Sequence, residues 1–202
     1  MLFSLAEKVA IFFISRHMIP LDDRDWAIYA LQRYISAAFF YPILFFLGCL
    51  CCDAFTSLIF FAVFTGLRHR IGGHHAKTPL RCFAISICIL FFGLGVYPTM
   101  TWLLPDTFDV VVCFSAGVFI WIIGPCNDPR IQMDLSEYRV NRKQSHLFII
   151  IIWISTAALL YIFNLRVYAK AVTAATALAA MLLLAGIYQI GGIRNEQNQQ
   201  CP

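Results

Sequence analysis

Between residues 82 and 104 the chain carries no charged side chain. That length suffices to cross the hydrocarbon core of a bilayer, which takes about 20 residues of helix. Similar apolar runs occupy 26–52, 108–123, 146–163 and 168–190, and a shorter one occupies 54–67. A backbone in lipid has no water to bond, so runs of this kind must close their hydrogen bonds within themselves, as helices. With 60% hydrophobic and 13% charged residues in 202 and a mean hydropathy of +0.75, nothing is left over for a soluble domain. The expectation is an all-α polytopic membrane protein, a single domain over 1–202 with about six transmembrane helices.

Before the first run, Leu2, Leu5, Val9, Phe12 and Phe13 recur at helical spacing, with Ser4, Glu7, Lys8 and Ser15 on a narrower polar side. This predicts an interfacial amphipathic helix within 1–20. A signal peptide fits less well, because Glu7 and Lys8 interrupt the apolar stretch and no small-residue cleavage site follows. Polar segments at 68–81 and 127–145 read as loops, and 191–202 as a flexible polar tail. If the N-terminus is cytoplasmic, all Lys and Arg except Arg166 and Lys170 fall on the inner side, and Asp53, Asp106 and Asp109 face outward. The positive-inside rule thus predicts a cell-membrane protein with both termini in the cytoplasm. That parity depends on 54–67, whose 14 residues are few for a crossing.

The net charge of +4 is explained by these membrane-flanking cations, and no nucleic-acid signature accompanies it. The eight cysteines lie mostly inside apolar runs and read as small buried hydrophobes, not as disulfide partners. On α-helix 168–190, Ala171, Ala175 and Ala179 recur every four residues, a pattern that permits close helix packing and offers one possible dimer surface.

One stretch breaks the apolar pattern: Arg68-His69-Arg70-Ile71-Gly72-Gly73-His74-His75-Ala76-Lys77-Thr78-Pro79-Leu80-Arg81-Cys82. Thr78-Pro79 is a helix-start signal, which places Cys82 in a first helical turn. The positive end of the helix dipole, with Lys77 and Arg81, favours a thiolate there. Gly72-Gly73 gives the backbone freedom to fold back and to approach a ligand closely. Either His75 or His74 then comes within reach of the thiol, the pairing that nucleophilic acyl chemistry uses. A metal site from His69, His74, His75 and Cys82 matches no closed zinc spacing and lacks carboxylates, so no metal and no cofactor are expected. Asn127, Asp128 or Glu137 from the second loop are candidates to orient the histidine. Cys126, beside Pro125, is the one rival thiol near the same side.

The segment from Gly72 to Cys82 resembles the signature of the AgrB (accessory gene regulator B) family, which carries Gly-Gly-x-His-Ala with a cysteine seven residues after the histidine. The Gly124-Pro125 pair and the basic residues Arg139, Arg142 and Lys143 of the second polar segment are similar too. The resemblance implies a membrane cysteine endopeptidase, acting as a homodimer on an AgrD-like pheromone precursor in quorum sensing. It assigns His75 and Cys82 as the catalytic pair and leaves His74 at a variable position. The expected activity is removal of the precursor's C-terminal tail and closure of the remainder into a thiolactone or lactone. Substrate contacts are expected from Arg68, Arg70, Lys77 and Arg81, facing an acidic tail, and from Gly72 and Gly73. The rival reading is a small peptide transporter without proteolytic activity.

Overall fold

The computed structural model describes residues 2–16, 18, 20, 24–72, 79–126 and 135–199. These are helical throughout apart from turns, with no strand among them. The chain divides into two compact units, Met1–Leu47 and Gly48–Pro202.

The first unit holds α1 (Leu2–Ser15) and most of α2 (Arg24–Cys51). Ala10, Ala27 and Ile28 are buried in it, and Arg24 pairs with Glu7 at 3.4 Å. The amphipathic run read at the N-terminus is thus a helix, and α2 passes through Pro42 without ending.

The second unit is built around α8 (Arg166–Gln199). Its candidate span is 61% buried, against 28% or less for the other four helices long and apolar enough to cross a membrane. The reason lies in its side chains. Ala169, Ala171, Ala174, Ala175, Ala179 and Ala180 are all buried and let α3 (Ala54–Ile71), α6 (Asp106–Ile123) and α7 (Leu135–Ala157) approach closely. Ala171, Ala175 and Ala179 therefore pack inside one protomer, which removes them as a dimer surface. The outer faces carry exposed Phe91, Met100, Val111, Phe114, Ile122, Ile151 and Met181. In a bilayer these contact lipid tails.

Five helices meet the length and composition of a membrane span where about six are expected. The missing one is α3. Its last turn is Arg68, His69 and Arg70, and the 14 residues before them extend only about 21 Å as helix. α3 nonetheless runs between the same two ends as α8. Phe55 near its start packs edge-on against Tyr168 at 5.4 Å, and Phe64 and Arg68 near its finish share a cavity with Leu182.

Two boundaries differ from the hydropathy reading. α7 begins at Leu135, so 135–145 is helix and not loop, and α8 continues through 191–199, where a flexible tail is expected from composition. Helix α4 (Pro79–Leu90) widens into a π stretch at Phe91–Val96 before α5 (Tyr97–Met100), and α7 ends in another at Ala158–Ile162. Within the first π stretch Gly93 accommodates Phe60 of α3, since a Cβ there would lie 2.4 Å from the ring. That contact seats the π stretch on α3.

At the end of the unit where α3 starts, Asp53 caps the helix by accepting from the N–H groups of Phe55 and Thr56, both at 3.0 Å. With the Thr56 hydroxyl, these bonds hold its carboxyl below the usual carboxylate range. Asp53→Ala is expected to cost about 1 kcal/mol of stability. Because the folded carboxyl is the stronger acid, the cap's contribution is complete above the ordinary carboxylate range and fades as pH falls through the lower folded value. Thermal melts of wild type and variant in detergent should converge at acid pH.

Candidate functional site

The cationic island begins on α3. Gly72 ends that helix with φ +66, and its N–H donates to the Arg68 carbonyl at 3.1 Å. A side chain here is doubly disfavoured, by the left-handed φ and by the Cys126 carbonyl oxygen 3.0 Å from where a Cβ would sit. Gly72→Ala is expected to cost about 1–3 kcal/mol, measurable as a lower unfolding midpoint. The Gly72 carbonyl accepts in turn from an Arg68 guanidinium nitrogen.

The root of the second polar segment lies against the same place. The Cys126 N–H donates to the Ile71 carbonyl at 2.9 Å, so residues 72 and 126, where the two polar segments leave the helices, are adjacent. Glu137 is exposed on the first turn of α7, and Arg139, Arg142 and Lys143 are exposed on the turns after it. Asn127 and Asp128 lie outside the described residues.

Across the island the described residues resume at Pro79 in α4, and Cys82 falls on its first turn, exposed. Cys82 lines a cavity of about 40 Å³ together with Arg68, Phe64, Ile85, Ser86 and Leu182. Arg81 beside it is exposed. The island's ends therefore converge: the last turn of α3 and the first turn of α4 set an arginine and a cysteine on one small hollow.

Arg70 is placed differently. Its guanidinium lies over the Phe148 ring at 4.7 Å and donates to the Gly66 carbonyl at 2.7 Å, which ties α3 to α7. His69 is exposed. Gly73, His74, His75 and Lys77 lie outside the described residues.

Cys88 is exposed as well, within the candidate span Leu80–Met100, and the other described cysteines are buried or partly buried. Cys113 is buried, and its sulfur lies 3.5 Å from the Thr156 hydroxyl. Burial and the neighbouring Asp53 push the Cys52 thiol up to about 11, which keeps it protonated near neutral pH. Cys126 is partly buried against the core. His146 is also spoken for, stacked on Trp121 at 3.9 Å with Nε2 against the Trp121 carbonyl at 3.2 Å.

A second polar cluster, at the opposite end of the unit, is missing from the sequence reading. Lys170 and Asp109 are both buried, with Nζ 2.9 Å from Oδ2. Lys170 also donates to the Thr101 carbonyl at 2.9 Å and hydroxyl at 3.0 Å, and Tyr97 donates to Asp109 Oδ1 at 2.7 Å. Asp109 is thus not a solvent-exposed carboxylate; it is the counter-charge of a lysine inside the bundle. Nearby, Arg166 pairs with Asp106 at 3.1 Å. The signal was present in the sequence: Arg166 and Lys170 are the two exceptions to the cation bias, spaced one turn apart like Asp106 and Asp109 on α6.

A bundle of helices, five of them long and apolar enough to cross a membrane, defines a multi-pass all-α membrane protein. The sequence model of the family described as Accessory gene regulator B matches residues 6–187, and the chain belongs to that family. Membership gives it a role in accessory gene regulator pheromone processing, with a peptide precursor as its partner in the membrane. Searches among curated proteins and among solved structures return no match.

Proposed function

We propose that the protein is a cysteine endopeptidase that cuts an AgrD-like precursor through an acyl-thioester on Cys82 and releases a thiolactone or lactone. The observation that carries this reading is the position of Cys82. It is an exposed thiol on the first turn of α4, sharing a hollow with Arg68, at the end of the Gly-Gly-x-His-Ala segment.

In this mechanism the Cys82 thiolate attacks the scissile carbonyl, and N–H groups of the helix start receive the developing oxyanion. His75 protonates the departing amine, so the C-terminal tail leaves and the thioester remains. The precursor's own cysteine, or serine, then attacks that thioester, closing the ring and returning the thiol to Cys82. Thioester exchange is nearly isoenergetic, whereas the first step from an amide is uphill, so removal of the tail or of the ring draws the sequence forward. Arg68 and Arg81 supply positive charge beside the sulfur, where an acidic tail would lie, and Lys77 belongs to the same set. Arg70, held against Phe148, serves the scaffold first. The site faces the cytoplasm, the side on which the positive-inside rule places thirteen of the fifteen Lys and Arg together with both termini.

The test is co-expression with a candidate precursor, comparing wild type with Cys82→Ala and His75→Ala. Tail release in wild type alone supports the reading. Release in both variants contradicts it, and an uncut precursor that crosses vesicle membranes would favour a transporter.

A further inference from the structure

A second cavity lies away from the thiol. It measures about 560 Å³ and lies at the other end of the second unit, lined by Asp53, Trp102, Asp106, Arg166, Tyr168 and Lys170 among others. That volume falls within the range of small-ligand sites. We infer that this cavity binds the headgroup of a zwitterionic phospholipid bearing a primary amine, with its phosphate on Arg166 and its ammonium on Asp53.

Depth is the first argument. The cavity sits where three candidate spans, Leu80–Met100, Asp106–Ile123 and Arg166–Tyr188, begin or end, which is the level of lipid headgroups. Trp102, Leu103 and Leu104 are exposed on the turn beside it, as residues at a membrane interface are.

Charge is the second. Lys170 is spent on Asp109 and Thr101 and forms a neutral floor. Among the described residues Arg166 makes one ion pair, to Asp106, and its side chain is 60% exposed. A guanidinium has five N–H donors in a fork suited to phosphate, so donors remain after the single contact with Asp106. Asp53 has no ion-pair partner among the described residues, and its three hydrogen bonds keep it ionised. The walls therefore present one cation with spare donors and one unneutralised carboxylate. Trp102 and Tyr168 add aromatic faces that favour an ammonium, and Phe55 holds Tyr168 in place.

An anionic lipid without an amine satisfies Arg166 but brings no positive charge to Asp53. A zwitterion with a primary amine answers both, and the ammonium's three donors distinguish it from a choline group, which has none.

The experiment uses the full chain purified in detergent. Lipid retention by native mass spectrometry and unfolding midpoints are measured with phosphatidylethanolamine, phosphatidylcholine, phosphatidylglycerol and soluble glycerophosphoethanolamine. Phosphatidylethanolamine is expected to bind at least about tenfold more tightly than the other two lipids, and Arg166→Gln or Asp53→Asn to remove that preference. Asn caps a helix as well as Asp, so the second variant keeps the fold. Equal retention of all three lipids, or a preference unchanged in both variants, would overturn the inference. Binding of glycerophosphoethanolamine as tight as that of the lipid would reassign the cavity to a soluble zwitterion and overturn the lipid assignment. Tail release reports separately on the thiol site.

Discussion

Replacing Cys82 with alanine is expected to lower tail release by at least about 10³-fold, the scale of losing a covalent nucleophile. The fold should survive, because Cys82 is exposed on the first turn of α4 and bounds a hollow of only about 40 Å³. Its removal opens no core cavity, so the unfolding midpoint should move little. Precursor binding should persist as well, since the cationic residues around the site remain. His75→Ala is expected to fall to a similar level, and the double variant to be little worse than either single one, as groups acting as a unit are strongly non-additive. Single-turnover assays with purified chain and precursor separate these effects from expression. An additive double variant would mean that the two side chains act in separate steps.

The largest effect on stability is expected at Asp109. Its carboxylate is buried against Lys170, which is itself buried, and Tyr97 and Thr101 complete the bonding of both groups. Removing one partner leaves the other charge inside the bundle without a counter-ion, at a cost of about 3–5 kcal/mol. Asp109→Ala should therefore unfold at a markedly lower temperature in detergent. The double variant Asp109→Leu with Lys170→Met removes both charges and should recover most of that loss, because an apolar pair of similar volume often replaces a buried ion pair at little cost. Melting curves of wild type, Asp109→Leu, Lys170→Met and the double variant form the cycle, and a double variant as unstable as Asp109→Leu alone would show that the hydrogen bonds to Tyr97 and Thr101, not charge balance, dominate.

The helical architecture was legible because lipid leaves a polytopic chain few alternatives, and apolar runs then mark the helices. A helix carrying Cys82 was legible too, since Pro79 fixes its own φ at a helical value and suits a first turn. Other features were not. Hydropathy ends the fifth span near His146, yet no Gly or Pro lies between Arg130 and Leu165, so once α7 forms in the apolar part it extends back through polar sequence to Leu135. The alanine face of α8 was legible as a packing surface but not as an internal one, because close approach within a protomer and between protomers requires the same small side chains. The Asp109–Lys170 pair escaped for a related reason: charge counting along a membrane chain assigns each ion to a side and does not ask which ions meet. At the thiol site, Cys82 and Arg68 were both singled out, and the adjacency of Ile71 and Cys126 was the part that spacing alone does not contain.

The covalent intermediate can be trapped directly. A precursor whose ring cysteine is replaced by alanine has no internal nucleophile to discharge the thioester, so incubation with the purified chain should leave the N-terminal part of the precursor attached to Cys82. Intact mass should rise by that fragment, peptide mapping should place it on Cys82, and neutral hydroxylamine should release it. Release of the tail with no adduct at Cys82, or an adduct on Cys126 instead, would contradict the proposed mechanism.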